Sequence, residues 1–282
     1  MKVVRKPSWL KVKLPSGDNF KELRKIVETH NLHTICSSGR CPNMGECWGD
    51  RTATFMILGN ICTRSCGFCN VLTGRPLPVD WEEPVKVAES IRLMGVKHAV
   101  ITSVDRDDLP DGGAEVWAMT IREIRAQNPG ITMETLIPDF QGKESLLDII
   151  IKEAPEVVSH NLETVRRLTK QVRKQAKYDR SLAVLKYLKE QGINRTKSGI
   201  MLGLGETREE VLETMEDLRK ANVDVMTIGQ YLQPSPKHLP VERYPHPDEY
   251  KFYEETGLKM GFRYVESGPL VRSSYHAHKH VR

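Results

Sequence analysis

No cysteine follows Cys69 in a chain of 282 residues, and all six cysteines lie between Cys36 and Cys69. Disulfides that staple a small secreted fold are normally spread along its chain. Six thiols crowded into one end of a long chain point to metal ligation instead. No apolar run approaches the ~20 residues that cross a bilayer, so no membrane partner is expected. The charged start, Met1-Lys2-Val3-Val4-Arg5-Lys6-Pro7, is not followed by the apolar core of a secretory signal, and a cytoplasmic location is expected. The sequence has no Gly-Lys-Ser/Thr, which excludes a phosphate loop of the P-loop type. Aromatic residues make up only 6% of the chain. No basic stretch interleaved with aromatics offers a platform for RNA, so nucleic acid is not expected as a partner either.

The remaining composition is that of an ordinary soluble protein, with 39% hydrophobic and 28% charged residues. A net charge of +5 and a pI near 8.8 describe a mildly basic surface, or one that attracts an anionic partner. Residues 1–17 carry Pro7, Pro15, Gly17 and several lysines and read as an extended arm. Asp18 or Asn19 caps a helix whose apolar positions are Phe20, Leu23, Ile26 and Val27. From His30 to Asp50 periodicity fades, and Gly, Ser, Asn and Cys suggest a loop held by something other than a core.

A different rhythm begins near residue 52. Apolar, β-rich runs at Ala53–Leu58, His98–Val104, Thr132–Ile137, Val157–His160, Ser198–Leu202 and Val225–Gly229 alternate with amphipathic stretches. The helices predicted between them lie near Pro84–Met94, Ala114–Asn128, Lys143–Glu153, Ser181–Gln191 and Thr207–Ala221, with a further one near Asp248–Met260. Alternation of this kind implies an α/β fold with parallel strands and right-handed crossovers. Six repeats fall short of a complete barrel. A partial (β/α)6 barrel is expected, with a doubly wound sheet as the alternative. Either fold gathers ligands at the C-terminal ends of its strands. There the sequence turns polar after each strand, as in Asp105-Arg106-Asp107-Asp108, Pro138-Asp139-Phe140, Asn161-Leu162-Glu163, Gly203-Leu204-Gly205-Glu206 and Gln230-Tyr231.

Two groups of three cysteines frame the first strand. Cys36-x4-Cys41-x5-Cys47 precedes it and Cys62-x3-Cys66-x2-Cys69 follows. Zinc ribbons use Cys-x2-Cys pairs closed by four ligands, which two separate triplets do not supply. A strand between the triplets, ~20 Å long at 3.3 Å per residue, argues against one shared site. Two iron–sulfur clusters fit best, each with three thiolates and one iron left for another ligand. Near the C-terminus, His276, His278 and His280 alternate; they read as a solvated terminus rather than a metal site.

Cys62-x3-Cys66-x2-Cys69, with Phe68 before the last cysteine and a β/α pattern around it, resembles the signature of the radical S-adenosylmethionine superfamily. The first triplet and Arg272-Ser273-Ser274-Tyr275 narrow the resemblance to the lipoyl synthase family. Asp105-Arg106-Asp107-Asp108-Leu109-Pro110, Glu134-Thr135-Leu136-Ile137-Pro138-Asp139-Phe140, His160-Asn161-Leu162-Glu163-Thr164 and Gly229-Gln230-Tyr231-Leu232 match it in order. Biotin-synthase-like and tRNA methylthiotransferase readings are opposed by the order of the cysteines and by the Arg-Ser-Ser-Tyr motif. A non-catalytic electron-transfer protein would prefer fully ligated clusters.

The resemblance implies insertion of two sulfur atoms at the sixth and eighth carbons of a protein-bound octanoyl-lysine. Such C–H bonds have no useful acidity, so a cofactor must supply a radical. It implies a 4Fe–4S cluster on Cys62, Cys66 and Cys69 that binds S-adenosylmethionine. A second, auxiliary 4Fe–4S cluster on Cys36, Cys41 and Cys47 would donate the sulfur. The second cluster takes a serine as its remaining ligand; the matching position is Ser274, with Ser273 as rival. Cofactor contacts are expected from Asp105, Arg106, Asp108, Asn161, Gly203 and Gln230. The implied partners are octanoylated lipoyl carrier domains (2-oxoacid dehydrogenase E2 subunits and the glycine cleavage H protein), an electron donor such as flavodoxin or ferredoxin, and an iron–sulfur carrier for cluster repair. Arg40, Arg272 and the basic arm are the expected docking residues for an acidic carrier. Three parts are expected: an N-terminal cysteine-rich extension at 1–50, the barrel core at 51–232, and a C-terminal segment at 233–282 that closes over the barrel mouth.

Overall fold

Seven strands, most of them runs of apolar residues, form one all-parallel sheet in the computed structural model, which describes residues 5–11, 17–29, 34, 41, 43–49 and 54–281. The strands are β1 Thr54–Ile57, β2 His98–Ser103, β3 Thr132–Leu136, β4 Val157–Ser159, β5 Arg195–Leu202, β6 Val225–Gln230 and β7 Tyr264–Ser267. They pair in chain order. Registers such as Phe55 opposite Ile101 and Ile200 opposite Ile228 stack apolar residues of neighbouring strands. Every residue of β1, β4 and β6 is buried, as expected for strands covered on both faces.

Helices cover the outside: α1 Asp18–Thr29, α2 Met44–Gly49, α3 Glu83–Met94, α4 Ala114–Gln127, α5 Glu144–Lys152, α6 Tyr178–Glu190, α7 Arg208–Lys220 and α8 Pro247–Lys259. Their ends follow local chemistry. Pro84 occupies the first turn of α3, and Gly95 ends that helix in the left-handed region at φ 62°. Thr207 and Glu210 form a capping box on α7.

Six of the seven strands match the sequence expectation within a few residues. The seventh, β7, joins the sheet beyond β6 and has no counterpart among the predicted strands. The stretch from His30 to Asp50 also differs from expectation in its described part. It contains α2, whose Trp48 is buried against Phe20 of α1 at 5.4 Å between ring centroids. Among the described residues no pairing joins β1 to β7, so the sheet is an open, partial barrel.

The segment after β7 crosses that opening. Val271 lies against Gly229 of β6, where a Cβ would sit 2.2 Å from the Val271 carbonyl oxygen, so glycine alone permits the approach. His276 Nδ1 lies 3.3 Å from Glu266 of β7. The last turn, Ala277–Lys279, passes beside β2. His280, fully buried, meets a buried ion pair in which Lys197 Nζ donates to Glu134 at 2.8 Å. This end of the chain is therefore packed into the fold rather than solvated. It contributes to the mouth through residues 271–273 and then continues past it.

Candidate functional site

A cavity of about 480 Å³ opens where the strands end. Cys62, Cys66 and Cys69 line it together with Asp105, Asn161 and Gln230. All three thiols are half-buried and unpaired by disulfides. The loop that carries them is fastened to the rim by specific bonds. Thr63 N–H and Oγ1–H both donate to the Asp105 carbonyl, at 3.0 and 2.9 Å. Gly67 N–H donates to the Val172 carbonyl at 2.9 Å. Cys62 Sγ accepts N–H bonds from Arg64 at 3.4 Å and Asp105 at 3.3 Å.

Arg64 is the hub of this rim. It is 5% exposed, and its guanidinium meets Asp107 at 2.6 Å, Asp139 at 2.8 Å and Asp105 at 3.2 Å. Arg180 adds a second cation to Asp139 at 2.7 Å. Burial pushes the Asp139 carboxyl up, but the hydrogen bond and charge of Arg64 outweigh it and hold Asp139 well below the usual carboxylate range. Asp105 goes the other way: burial pushes it up to about 6, against the opposing charge of Arg64.

The three thiols are soft donors held in a buried setting beside the Asp105 carboxylate. Burial, then the Asp105 charge, pushes Cys62 up to about 11, and burial with Cys69 as neighbour pushes Cys66 up to about 12. Thiolates so placed are stable only beside positive charge, and an iron centre supplies it. Among the described residues no three His, Cys, Asp or Glu side chains are arranged to hold a single metal ion. Three thiols that each bind a different iron of one cluster need no such convergence. The donor set and the N–H bonds to sulfur therefore fit an iron–sulfur cluster.

Two charged residues that sequence reasoning did not single out complete the wall. Glu163 is held in the left-handed region at φ 65°, a conformation that costs a non-glycine residue on the order of 1 kcal/mol. Backbone bonds to Gly199 and Met201, both at 2.9 Å, fix it there. Arg173 is buried, donates to the Leu162 carbonyl at 3.2 Å, and its charge reaches both Glu163 and Cys66. The strain at Glu163 and the burial of Arg173 are tertiary effects with no local signature.

The other expected contact residues divide. Asp105 and Asn161 line the cavity, and the buried Asn161 Oδ1 lacks a partner. Gln230 lines it too, but its amide is spent on the carbonyls of Leu202 (3.0 Å) and Tyr231 (2.9 Å) and on the Tyr250 hydroxyl (3.1 Å). Arg106 and Asp108 do not line it; they bond to each other at 2.9 Å through both guanidinium arms. Gly203 does not line it either, and its N–H donates to Glu206 at 2.7 Å.

A separate pocket of about 70 Å³ is lined by Cys41, Cys47, Ser274 and His98. Ser273 faces the larger cavity, and Arg272 lines both spaces. The chain turns here, with Tyr275 N–H donating to the Arg272 carbonyl at 2.9 Å, and the two serines at the centre of that turn face different spaces. Arg272 is not a surface residue: its Nη1 donates to the carbonyls of Gln230 at 3.3 Å and Val271 at 2.6 Å. Cys36 and Arg40 lie outside the described residues, as does part of the N-terminal arm. A hollow of about 520 Å³ elsewhere is lined by Glu206, Arg243 and Glu249, whose charges are already paired with one another.

A partial barrel with three thiols on the loop after its first strand defines a radical S-adenosylmethionine enzyme. The profile of that superfamily matches residues 56–218. A solved structure of Streptococcus suis SuiB bound to its precursor peptide superposes with a TM-score of 0.62, at 14% identity, over 88% of this chain and 52% of that one, which is a likeness of fold. The profile of the N-terminal domain of lipoyl synthase matches residues 1–41. Lipoyl synthase of Flavobacterium johnsoniae is 69% identical over 98% of this chain and 96% of that protein. Mitochondrial lipoyl synthase of Nematostella vectensis is 68% identical over 98% of this chain and 95% of that one. The chain belongs to the lipoyl synthase family. It is a radical sulfur-inserting enzyme that uses a 4Fe–4S cluster and S-adenosylmethionine, and lipoyl carrier domains are its substrates. Among the described residues no helix is long and apolar enough to cross a membrane.

Proposed function

We propose that Cys62, Cys66 and Cys69 hold the radical-generating cluster, and that Cys36, Cys41, Cys47 and Ser274 hold a second 4Fe–4S cluster that gives up sulfur to the octanoyl chain at its sixth and eighth carbons. The observation that carries this reading is the separate pocket shared by Cys41, Cys47 and Ser274, divided from the cysteine-loop cavity by Arg272. A serine oxygen is a harder ligand than thiolate and suits a bond that must open when sulfur leaves. When bound, the first cluster and S-adenosylmethionine supply a carbon radical able to take hydrogen from an unactivated C–H bond.

The chain's own residues then have defined tasks. Arg64 and its three aspartates hold the cysteine loop in one geometry. Asp105 and Glu163 would hold the ammonium end of the cofactor, Arg173 its carboxylate, and Asn161 its ribose. Val271, Leu136 and Ile200 present apolar surface that suits an acyl chain and keeps water from the radical. The three-part division at residues 50 and 232 follows the two clusters, with the first and last parts supplying the donor site. Octanoylated E2 subunits and H protein are the proposed carriers, flavodoxin or ferredoxin the electron donor, and an iron–sulfur carrier protein restores the donor cluster. The cytoplasm is the proposed setting.

Anaerobic reconstitution tests the reading. Two clusters predict ~8 irons and a matching count of sulfide per chain, with the sulfide count falling as product forms. A count of ~4 in the unaltered chain would overturn the second site.

A further inference from the structure

We propose that His238 is a positioning residue for Cys69, a role that rests on the reading of Cys62, Cys66 and Cys69 as cluster ligands. The stiff stretch Gln233-Pro234-Ser235-Pro236 has no part in the chemistry so far. It leads from β6 across the cavity rim and returns onto the cysteine loop. His238 Nε2 lies 3.0 Å from the Cys69 carbonyl oxygen, 169 residues away in sequence. A carbonyl only accepts, so Nε2 carries the proton and donates. Nδ1 is then the acceptor, and Ser235 Oγ–H donates to it at 2.9 Å. The ring is thus fixed in one tautomer by the two groups it joins.

His238 is itself gripped. Its N–H donates to the Ser235 carbonyl at 3.0 Å, and its own carbonyl accepts from Gln233 Nε2 at 3.0 Å. The next residue repeats the grip. Leu239 N–H donates to the Gly67 carbonyl at 3.0 Å, and Tyr231 Oη donates to the Leu239 carbonyl at 2.7 Å. The Leu239 side chain covers Gly67 so closely that a Cβ there would lie 2.9 Å from Leu239 Cγ. Two successive residues of the strap therefore hold the carbonyls of Gly67 and Cys69, on either side of Phe68. Cys69 N–H donates to the Cys66 carbonyl at 3.1 Å. With both of its peptide groups tied, the Cα–Cβ direction of Cys69 is set, and only the χ1 torsion remains to aim the sulfur. Hydrogen bonds around cluster ligands tune both the retention and the electronic structure of the cluster.

The test uses the full chain carrying Cys41→Ala and Cys47→Ala, so that only the radical cluster assembles. His238→Ala, His238→Gln and Ser235→Ala are reconstituted in that background. The electron paramagnetic resonance spectrum of the reduced cluster and the rate of iron loss to a chelator are then measured. His238→Ala is expected to shift the spectrum and to speed iron loss about five-fold, the worth of one ordinary hydrogen bond. His238→Gln retains a donor and is expected to restore both. Ser235→Ala, which removes the ring's partner and a long 3.4 Å bond from Lys237 N–H, is expected to move them in the same direction by less, and it serves as the test should His238→Ala fail to fold. Spectra and rates in His238→Ala and Ser235→Ala equal to those of the background protein would overturn the assignment, as would a failure of glutamine to rescue. A background protein that takes up no iron would overturn the cluster reading as well, and that failure is seen before any strap variant is compared.

Discussion

Cys62, Cys66 and Cys69 sit within eight residues, on a loop tied to the barrel rim through Thr63, Arg64 and Gly67 and held from above by His238 and Leu239. Cys41, Cys47 and Ser274 come instead from the two flanks of the barrel and meet only because α2 and the segment after β7 cross the open side of the sheet. Among the described residues, Asn43 Nδ2 donates to the Leu270 carbonyl at 2.6 Å, and the Tyr275 hydroxyl donates to Glu46 at 3.3 Å, so the second region is joined across the whole length of the chain. The first site is built like a fixture and the second like a closure. That difference suits the proposed roles, in which the first cluster would survive every turnover and the second would be dismantled and replaced.

The sharpest way to break the comparison is to remove a ligand from each site. Cys62→Ala is expected to abolish reductive formation of 5′-deoxyadenosine, read by chromatography of the reaction, because two thiolates do not retain the cluster. Cys41→Ala is expected to keep that activity within about two-fold while making no lipoyl product, and to halve the iron from ~8 to ~4. Dithiolane product from Cys41→Ala would remove the distinction between the sites.

Next in size is the rim itself. Arg64→Met leaves three carboxylates facing one another without their shared cation. Breaking a buried pair in this way costs about 3–5 kcal/mol, which for a chain of this size lowers the unfolding midpoint by roughly 10 °C. Calorimetry of the cluster-free protein reads it directly. Tyr275→Phe, which loosens only the exposed bond on the donor side, is expected to change the midpoint by under ~2 °C.

Between these two in size lies an effect of pH. Burial pushes His160, beside the cavity, and His98, in the donor pocket, down to about 4. Between about pH 6.5 and 4 the unfolded chain binds these protons and the folded chain does not, so stability present above pH 6.5 is lost as pH falls through that window. Asp105, raised to about 6, opposes this in part, since there the folded chain holds the extra proton. Glu83 and Glu163, also raised by burial, act with Asp105, and His280, lowered by burial, acts with the other histidines; a fall in the midpoint on the order of 5 °C by pH 4.5 is expected. His98→Asn is expected to flatten that slope, and an unchanged slope would place the sensitivity wholly on the radical side.

Much of this was legible in the residues. Strands buried on both faces read as plain apolar runs, so β1 to β6 stood out. β7, Tyr-Val-Glu-Ser, did not, because it is short, half-exposed and lies at an edge. The cysteine spacings are local and so could be read directly, and Cys62, Cys66 and Cys69 do share one cavity. What sequence could not supply was direction. Arg106 and Asp108 carry the right charges, yet their mutual bond takes them from the cavity. Glu163 and Arg173 were hidden because nothing in their neighbours signals burial or strain. Ser273 and Ser274 are indistinguishable as letters and differ only in the side of the segment each faces.

The bond from Asn43 to Leu270 spans 227 residues. On a ribosome, that interval is also a delay. The bonds from the loop of Cys62, Cys66 and Cys69 to Asp105 and Asp139 join residues made early, whereas the pocket of Cys41 and Cys47 gains its second wall only after Leu270 and Ser274 have been made. The rim bonds of the first site can thus close before the wall of the second pocket exists.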